Sequence, residues 1–405
     1  MKVLYLTYDG LTDNLGQSQV LPYLIGLSKK GAEITVVSFE KPNSPVSSEH
    51  IQNICDQANI EWHALSYHKN PPILSTVLDI QILKKTILKL QLQEHFDIIH
   101  CRSYITSIAG EWLKKKTGIK FVFDMRAFYA DERVDGKIWN IKNPIYNSIY
   151  KFFKRKEKDF LKSADYTITL THNAKKIIND WPGFEKTKIQ VIPCCMDEDL
   201  FDANQLTNFN KVKFARDLGI KDKSLVLTYI GSIGTWYMLD EMLLFYKELL
   251  VSKPDASFLF VTREPKSLIL EKALALNVPS ENIIIIPSKR EDIPKYLTIS
   301  DFSIFFILPV FSKQGSSPTK QGEIMSMGKP IICNSGVGDT DFVIEKYNCG
   351  ALVEEMNHTE FRKAIDKIPD LLALDPVKIR EGAIDFYSLQ KGGDNYWSVY
   401  KKVIS

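Results

Sequence analysis

The sequence predicts two doubly wound α/β domains, and three observations carry that expectation. At 405 residues the chain exceeds a typical single domain. Short β-branched and aromatic runs alternate with longer stretches of helical period, the pattern of parallel strands joined by crossover helices. The runs are apolar almost throughout, as strands covered on both faces are.

In chain order, the first half offers "KVLYLT", "EITVVSF", "IEWHAL", "FDIIHC", "KFVFDM", "YTITL" and "IQVIP" as strands. The second half offers "LVLTYIG", "SFLFVT", "NIIIIP", "FSIFFIL", "PIICN" and "GALVEE". Between the sets, the polar stretch 196–223 lacks strand signals and reads as a linker. The expected domains are 1–200 and 201–385. The tail 386–405 carries Tyr396, Trp397 and Tyr400 at a spacing that shares part of a helical face. It closes the second domain or crosses back to tie onto the first.

A net charge of +3 gives no case for nucleic acid as the main partner. No apolar run reaches the ~20 residues of a membrane span. The start, "MKVLYLTYDG", runs straight into a strand pattern, too early for a signal peptide. The six cysteines include an adjacent pair and no C-x-x-C spacing. Together these features predict reduced thiols and a cytoplasmic protein.

The most informative stretch is "SSPTKQGEIMSMGKP", Ser316 to Pro330. It follows the buried run "FSIFFIL", so it lies at a strand's carboxyl end, where open α/β sheets bind ligands. Pro318 suits the first helical position and Ser317 the N-cap. A capping box would place Glu or Gln three residues after the cap, yet Lys320 stands there. A cation at the positive end of a helix is disfavoured by up to ~1 kcal/mol unless an anion joins it. Free N–H groups, dipole and ammonium then attract one ligand, most simply a phosphate. Glu323 follows on the same face, and a carboxylate can accept from both vicinal hydroxyls of a ribose. The spacing leaves two readings: nucleotide recognition, or a local Lys320–Glu323 surface pair under an ordinary cap.

At these residues the chain resembles the retaining glycosyltransferases of family 4. The resemblance is carried by "SPTKQGEIMSMGKPIICN", "IQVIPCCMDEDLF", "LTYIGSIG" and "NLGQSQVLPYLIGLSKKG", in the family's order along nearly the whole chain. It implies the GT-B architecture of two facing Rossmann-like domains. Glu323 matches the second glutamate of the family's E-x7-E motif, which holds the donor ribose; the first would fall at Gly315 and is absent. The family's Arg and Lys after the first strand of the second domain fall at Ser232 and Tyr237. The resemblance therefore implies a subgroup in which Lys320 takes over the diphosphate, with Arg263 in "VTREP" beside it and Arg290 in "SKREDIP" near the base. Many members place a His at the end of the first domain's fifth strand, where this chain has Arg126.

Other residues carry open alternatives. Gly16 either lets backbone approach the donor phosphate or belongs to a turn before a helix. Arg126 and Asp131 either contact acceptor or transferred sugar, or sit in a surface salt-bridge network. His68 and Lys69, in the proline-broken loop "SYHKNPPILST", border the acceptor or are merely solvated. His100, at the end of "FDIIH", is packed at the rim or touches acceptor. "DTD", Asp339 to Asp341, invites a metal reading but suits a helix N-cap better. The basic, aromatic helix "IYKFFKRKEKDFLKSADY" either rests on an anionic membrane or is an ordinary surface helix.

The expected activity is transfer of a sugar from a nucleotide diphosphate sugar to an acceptor hydroxyl, with retention and without metal or cofactor. The acceptor is a sugar or lipid-linked sugar, in cell-surface polysaccharide or glycolipid synthesis. Catalytic candidates are Lys320, Glu323 and Arg126. Donor candidates add Gly16, Ser232, Arg263, Arg290 and Ser316, Ser317, Pro318 and Thr319; acceptor candidates are His68, Lys69 and Asp131. An inactive sugar-nucleotide binder of the same architecture is the alternative. A dinucleotide oxidoreductase is disfavoured, since neither domain's first strand leads into G-x-G-x-x-G.

Overall fold

The structure is a computed structural model that describes residues 1–42 and 44–405. The chain divides into two compact units, residues 1–194 with 389–405 and residues 195–388. The first holds β1 (Lys2–Thr7), β2 (Glu33–Glu40), β3 (Ile60–Ser66), β4 (Ile98–Arg102), β5 (Lys120–Arg126), β6 (Tyr166–Thr169) and β7 (Ile189–Val191). Their order across the sheet is β3-β2-β1-β4-β5-β6-β7, all parallel. The second holds β8 (Val226–Ile230), β9 (Ser257–Val261), β10 (Ile283–Ile286), β11 (Phe302–Phe305), β12 (Ile331–Asn334) and β13 (Gly350–Val353). These run β10-β9-β8-β11-β12-β13, again all parallel.

Each strand foreseen from the sequence is present. Parallel neighbours require crossover connections, and helices covering both faces bury the strands completely. Every residue of β4, β8, β9, β11 and β12 is buried. Strand order reverses between β1 and β4, and again between β8 and β11. A crevice opens at the carboxyl ends of such neighbours, so each unit has one predetermined place for a ligand.

The polar stretch 196–223 is not a free linker. Phe201 and Ile220 enter the second unit's core, and the short helix Lys211–Asp217 is capped by the Asn210 side chain. With Met196, these apolar anchors outweigh the polar composition that suggested a tether.

The closing helix Leu389–Ile404 belongs to the first unit. Tyr396 and Tyr400, one turn apart, are buried there. The Tyr396 hydroxyl donates to Asp124 at 3.0 Å, and the Tyr400 hydroxyl lies 2.8 Å from Nδ1 of His100. The crossing reading of the tail is therefore the one realised. No helix among the described residues is long and apolar enough to cross a membrane.

Candidate functional site

In the second unit, β8 runs out at Gly231, whose φ of +99° lies where side chains are disfavoured. The loop then returns, and Trp236–Met238 lie antiparallel to the chain leaving β11. The Met238 amide donates to Phe306, and the Leu308 amide to Trp236, each at 2.9 Å. This pairing fixes the β8 loop against the route into the helix Thr319–Ser326. Pro318 occupies the N-cap with extended backbone, and the first helical residue is Thr319. The expected cap at Ser317 with Pro318 as first helical residue is thus one position early: Pro318 has a ψ of 110°, outside the helical region.

Lys320 is 8% exposed and turns inward. Its Nζ lies 3.5 Å from the Tyr237 ring centre and 4.1 Å from that of Tyr229. It also donates to the Tyr229 hydroxyl at 3.0 Å, and that hydroxyl donates to the Ser232 carbonyl at 2.6 Å. A Cβ on Gly231 would stand 3.4 Å from the same Nζ. Ring quadrupoles attract an ammonium but carry no net charge to neutralise it. Burial accordingly pushes Lys320 well below the ordinary lysine value, with Glu323 opposing. Gln321, fully buried in the same turn, has neither amide atom hydrogen-bonded. Buried polar groups of that kind call for an explanation, and a ligand is one.

Glu323 is also buried, and its Oε1 accepts from Arg290 Nη1 at 2.6 Å. Lys320 on its tyrosines and Glu323 on Arg290 replace the local surface pair that spacing alone allowed. Arg290 lies in the turn Arg290–Asp292 after β10, its guanidinium 5.3 Å over the Phe201 ring. Arg263 is exposed at the end of β9 and donates to the Ser288 carbonyl at 3.2 Å. Ser232 is exposed, and Ser316, Ser317 and Thr319 are half-buried around the helix entrance. Asp339 stands at the N-cap position of Thr340–Tyr347, while the neighbouring Asp341 carboxylate accepts from the Gly336 amide. Among the described residues, no three His, Cys, Asp or Glu side chains are gathered as a metal set.

The first unit's rim looks different. Gly16 is buried in the helix Asn14–Gln19, and a Cβ there would sit 2.0 Å from the Gly10 carbonyl oxygen. The glycine is required by the loop's own backbone, which holds whether or not a ligand approaches. Glu40 clamps this loop, accepting from the Leu11 and Thr12 amides at 2.9 and 3.1 Å. Arg126 ends β5 in the left-handed region, φ +63°, after a register shift against β6. For a long side chain that conformation is strained, the kind of outlier that clusters at functional sites. Its guanidinium lies 3.8 Å from Asp124 and donates to the Cys194 sulfur at 3.2 Å. Asp131 accepts from Tyr150 at 2.9 Å and from Lys154 at 2.8 Å, so the network alternative is present. His68 Nδ1 lies 2.5 Å from buried Asp79, which also accepts from Tyr8; Lys69 is exposed.

Two family models match the chain. Glycosyltransferase Family 4 covers residues 20–200, and Glycosyl transferases group 1 covers residues 210–372. Together they mark the chain as a glycosyltransferase. An Escherichia coli UDP-Gal:alpha-D-GlcNAc-diphosphoundecaprenol alpha-1,3-galactosyltransferase is 24% identical over 333 residues, 81% of this chain and 80% of that protein. A glycosyltransferase from Rickettsia africae superposes with a TM-score of 0.71 at 19% identity, covering 100% of this chain and 98% of that one. Anabaena HepE, solved with UDP and glucose, gives 0.67 at 13% identity over 99% of both chains. At such identities the structural likeness speaks for the fold, GT-B.

Sequence reasoning on this glycosyltransferase missed Tyr229 and left Tyr237 without a role. It also missed Asp124, fully buried at the end of β5. Burial works against the Asp124 charge, but Arg126, His100 and Arg102 together hold it below the ordinary carboxylate value. Burial likewise lowers His100, against the pull of Asp124, so the pair is a neutral imidazole beside a carboxylate. His100 is packed rather than offered to an acceptor. A polar residue late in a predicted buried strand was the available signal for Asp124, since a carboxylate is buried there only beside partners such as Arg126 and Tyr396.

Proposed function

We propose that this enzyme transfers a hexose from a UDP-sugar to a hydroxyl of a sugar carried on a lipid diphosphate, with retention of configuration. The observation that carries the reading is Lys320: a buried lysine amine at a helix entrance, held by two tyrosine rings, at the β8/β11 switch point. A nucleotide diphosphate is the ligand whose charge that arrangement lacks. UDP as the carrier and a lipid-linked acceptor are drawn from the activity of the E. coli relative and the UDP complex of HepE.

In this reading Lys320 and the Ser316–Thr319 backbone hold the diphosphate, with Arg263 nearby. Glu323 takes the ribose hydroxyls once Arg290 lets go, and Arg290 turns toward the base. Negative charge grows on the leaving UDP as the glycosidic bond breaks, and a preorganised cation with helix N–H groups stabilises it without a metal. Ser232 completes the donor surround within the second unit, while His68, Lys69 and Asp131 of the first border the acceptor. The acceptor hydroxyl attacks from the face that UDP leaves, since no side chain at the site stands out as a nucleophile. Gly315 in place of the first E-x7-E glutamate fits a site that leans on Lys320.

The test is turnover of UDP-galactose, UDP-glucose and UDP-N-acetylglucosamine with a GlcNAc-diphosphate-lipid acceptor, before and after EDTA. An α-linked product formed at an unchanged rate after chelation is expected. Hydrolysis or transfer with none of these donors contradicts the activity. A rate abolished by EDTA and restored by Mn²⁺ contradicts the metal-free part alone.

A further inference from the structure

In the first unit, β5 ends on a bulge. Asp124 pairs with Ile168 of β6 and Arg126 with Thr169, which leaves Met125 as an extra residue. Bulges of this kind re-aim a side chain, and the left-handed φ of +63° turns Arg126 further from the regular course of the strand. Its guanidinium is 11% exposed and carries several N–H donors, yet among the described residues it makes one hydrogen bond, to the Cys194 sulfur. Asp124 beside it is fully buried, and its Oδ1 has no hydrogen bond. The pair stands next to β4, at the carboxyl-end rim where this sheet reverses its strand order. A guanidinium with most of its donors unspent at such a rim suits a ligand that accepts hydrogen bonds, and sugar hydroxyls do.

What holds this side chain comes from the closing helix of the same unit. The Tyr396 hydroxyl donates to Asp124 Oδ2 at 3.0 Å, and that oxygen lies 3.8 Å from Arg126 Nη1. The Tyr396 ring also meets Tyr23 edge-on at 5.2 Å. The Tyr23 hydroxyl donates to the Pro193 carbonyl at 3.3 Å, next to Cys194. One side chain thus bears on both contacts of Arg126. Anchoring the helix does not require its hydroxyl, since Val399 and Val403 are buried there without a polar atom. A buried hydroxyl loses its water on folding, and its hydrogen bond returns little beyond that cost. A phenyl ring would anchor the helix about as well, so the hydroxyl is better explained by what it orients.

We propose that Tyr396 is a positioning residue for acceptor binding: through Asp124 and the Pro193–Cys194 backbone it sets the Arg126 guanidinium, which donates to a hydroxyl of the acceptor sugar. The acceptor part rests on the reading of the chain as a transferase to a sugar hydroxyl; the relay from Tyr396 to Arg126 does not. Tyr396→Phe keeps the ring and removes the hydroxyl. With a water-soluble GlcNAc-diphosphate acceptor, it should raise the acceptor KM by about tenfold and leave UDP affinity unchanged. A merely structural role would lower Tm and the active fraction without moving KM. Arg126→Lys keeps the charge but loses the fork, and should raise the same KM. In that background, adding Tyr396→Phe should cost less than about twofold, because the relay has lost its end. Losses that multiply in the double variant, or a wild-type acceptor KM in Tyr396→Phe, overturn the proposal. Crystal structures of wild type and Tyr396→Phe read the relay without turnover. The guanidinium should leave Cys194 in the variant, and an unmoved guanidinium also overturns the proposal. No transfer by the wild type, with the guanidinium displaced in the variant, removes the activity and leaves the relay supported.

Discussion

The Lys320 ammonium stands 3.5 Å over the centre of the Tyr237 ring, and that ring is fixed by backbone pairing across the exits of β8 and β11. The contact holds a basic amine at a helix entrance and leaves its charge to be matched by an anion. Resemblance to the family 4 glycosyltransferases leads one to expect a cation near that place; here the β8 loop supplies rings and the β11 side supplies the basic group.

Replacing the ring should therefore loosen the cation rather than unfold the unit. Tyr237→Leu is expected to weaken UDP binding by about tenfold, a desolvated cation–π contact being worth ~2 kcal/mol, and to leave uridine binding nearly unchanged. Calorimetry with both ligands reads the difference. An equal loss for uridine would show that Tyr237 supports the pocket's shape and not its charge.

Proton linkage gives a second check. Burial favours the neutral amine of Lys320, with Tyr229, Tyr237, Glu323 and Arg290 as the groups around it. A diphosphate favours the ammonium, so binding takes up a proton at any pH between the depressed free value and the raised bound one. Affinity then falls as pH rises through that window. For stability the sign is the reverse: the unfolded chain binds the extra proton, so stability rises with pH toward the ordinary lysine value. Calorimetry of UDP binding, taken through a series of pH values below the ordinary lysine value and in buffers of differing ionisation enthalpy, should report a window of net uptake, absent in Lys320→Met. Equal heats in all buffers would mean that Lys320 is charged before the ligand arrives.

How much of this was readable beforehand depends on where the information lies. Strands such as Val226–Ile230 and Phe302–Phe305 are apolar end to end, and a strand buried on both faces needs nothing else to be recognised. The anion site was readable because Lys320 breaks a local rule of helix starts. Its holder was not: Tyr229 lies 91 positions upstream and meets Lys320 only because β8 and β11 are neighbours. The same limit hid the Asp131 network with Tyr150 and Lys154, and the claim of the Gly10 backbone on Gly16. Composition misled at 196–223, where Met196, Phe201 and Ile220 anchor a polar segment to the second core.

Glu323 offers a third prediction. Glu323→Gln keeps size and fold but weakens acceptance from two hydroxyls, and also releases Arg290 from its 2.6 Å pair. UDP affinity should fall by ~1.5–3 kcal/mol, the usual worth of a charge-assisted hydrogen bond. The penalty should shrink sharply with 2′,3′-dideoxy-UDP, whose ribose offers the carboxylate nothing. A penalty as large with the dideoxy ligand would return Glu323 to the role of Arg290's partner.

The central claim, that Lys320 at its helix entrance is the diphosphate cation of the second unit, is tested most directly by calorimetry of Lys320→Ala with UDP and with uridine. The account predicts a loss for UDP of at least about 2 kcal/mol, and a uridine affinity within about twofold of wild type. Equal losses for the two ligands, or an unchanged affinity for UDP, would contradict it.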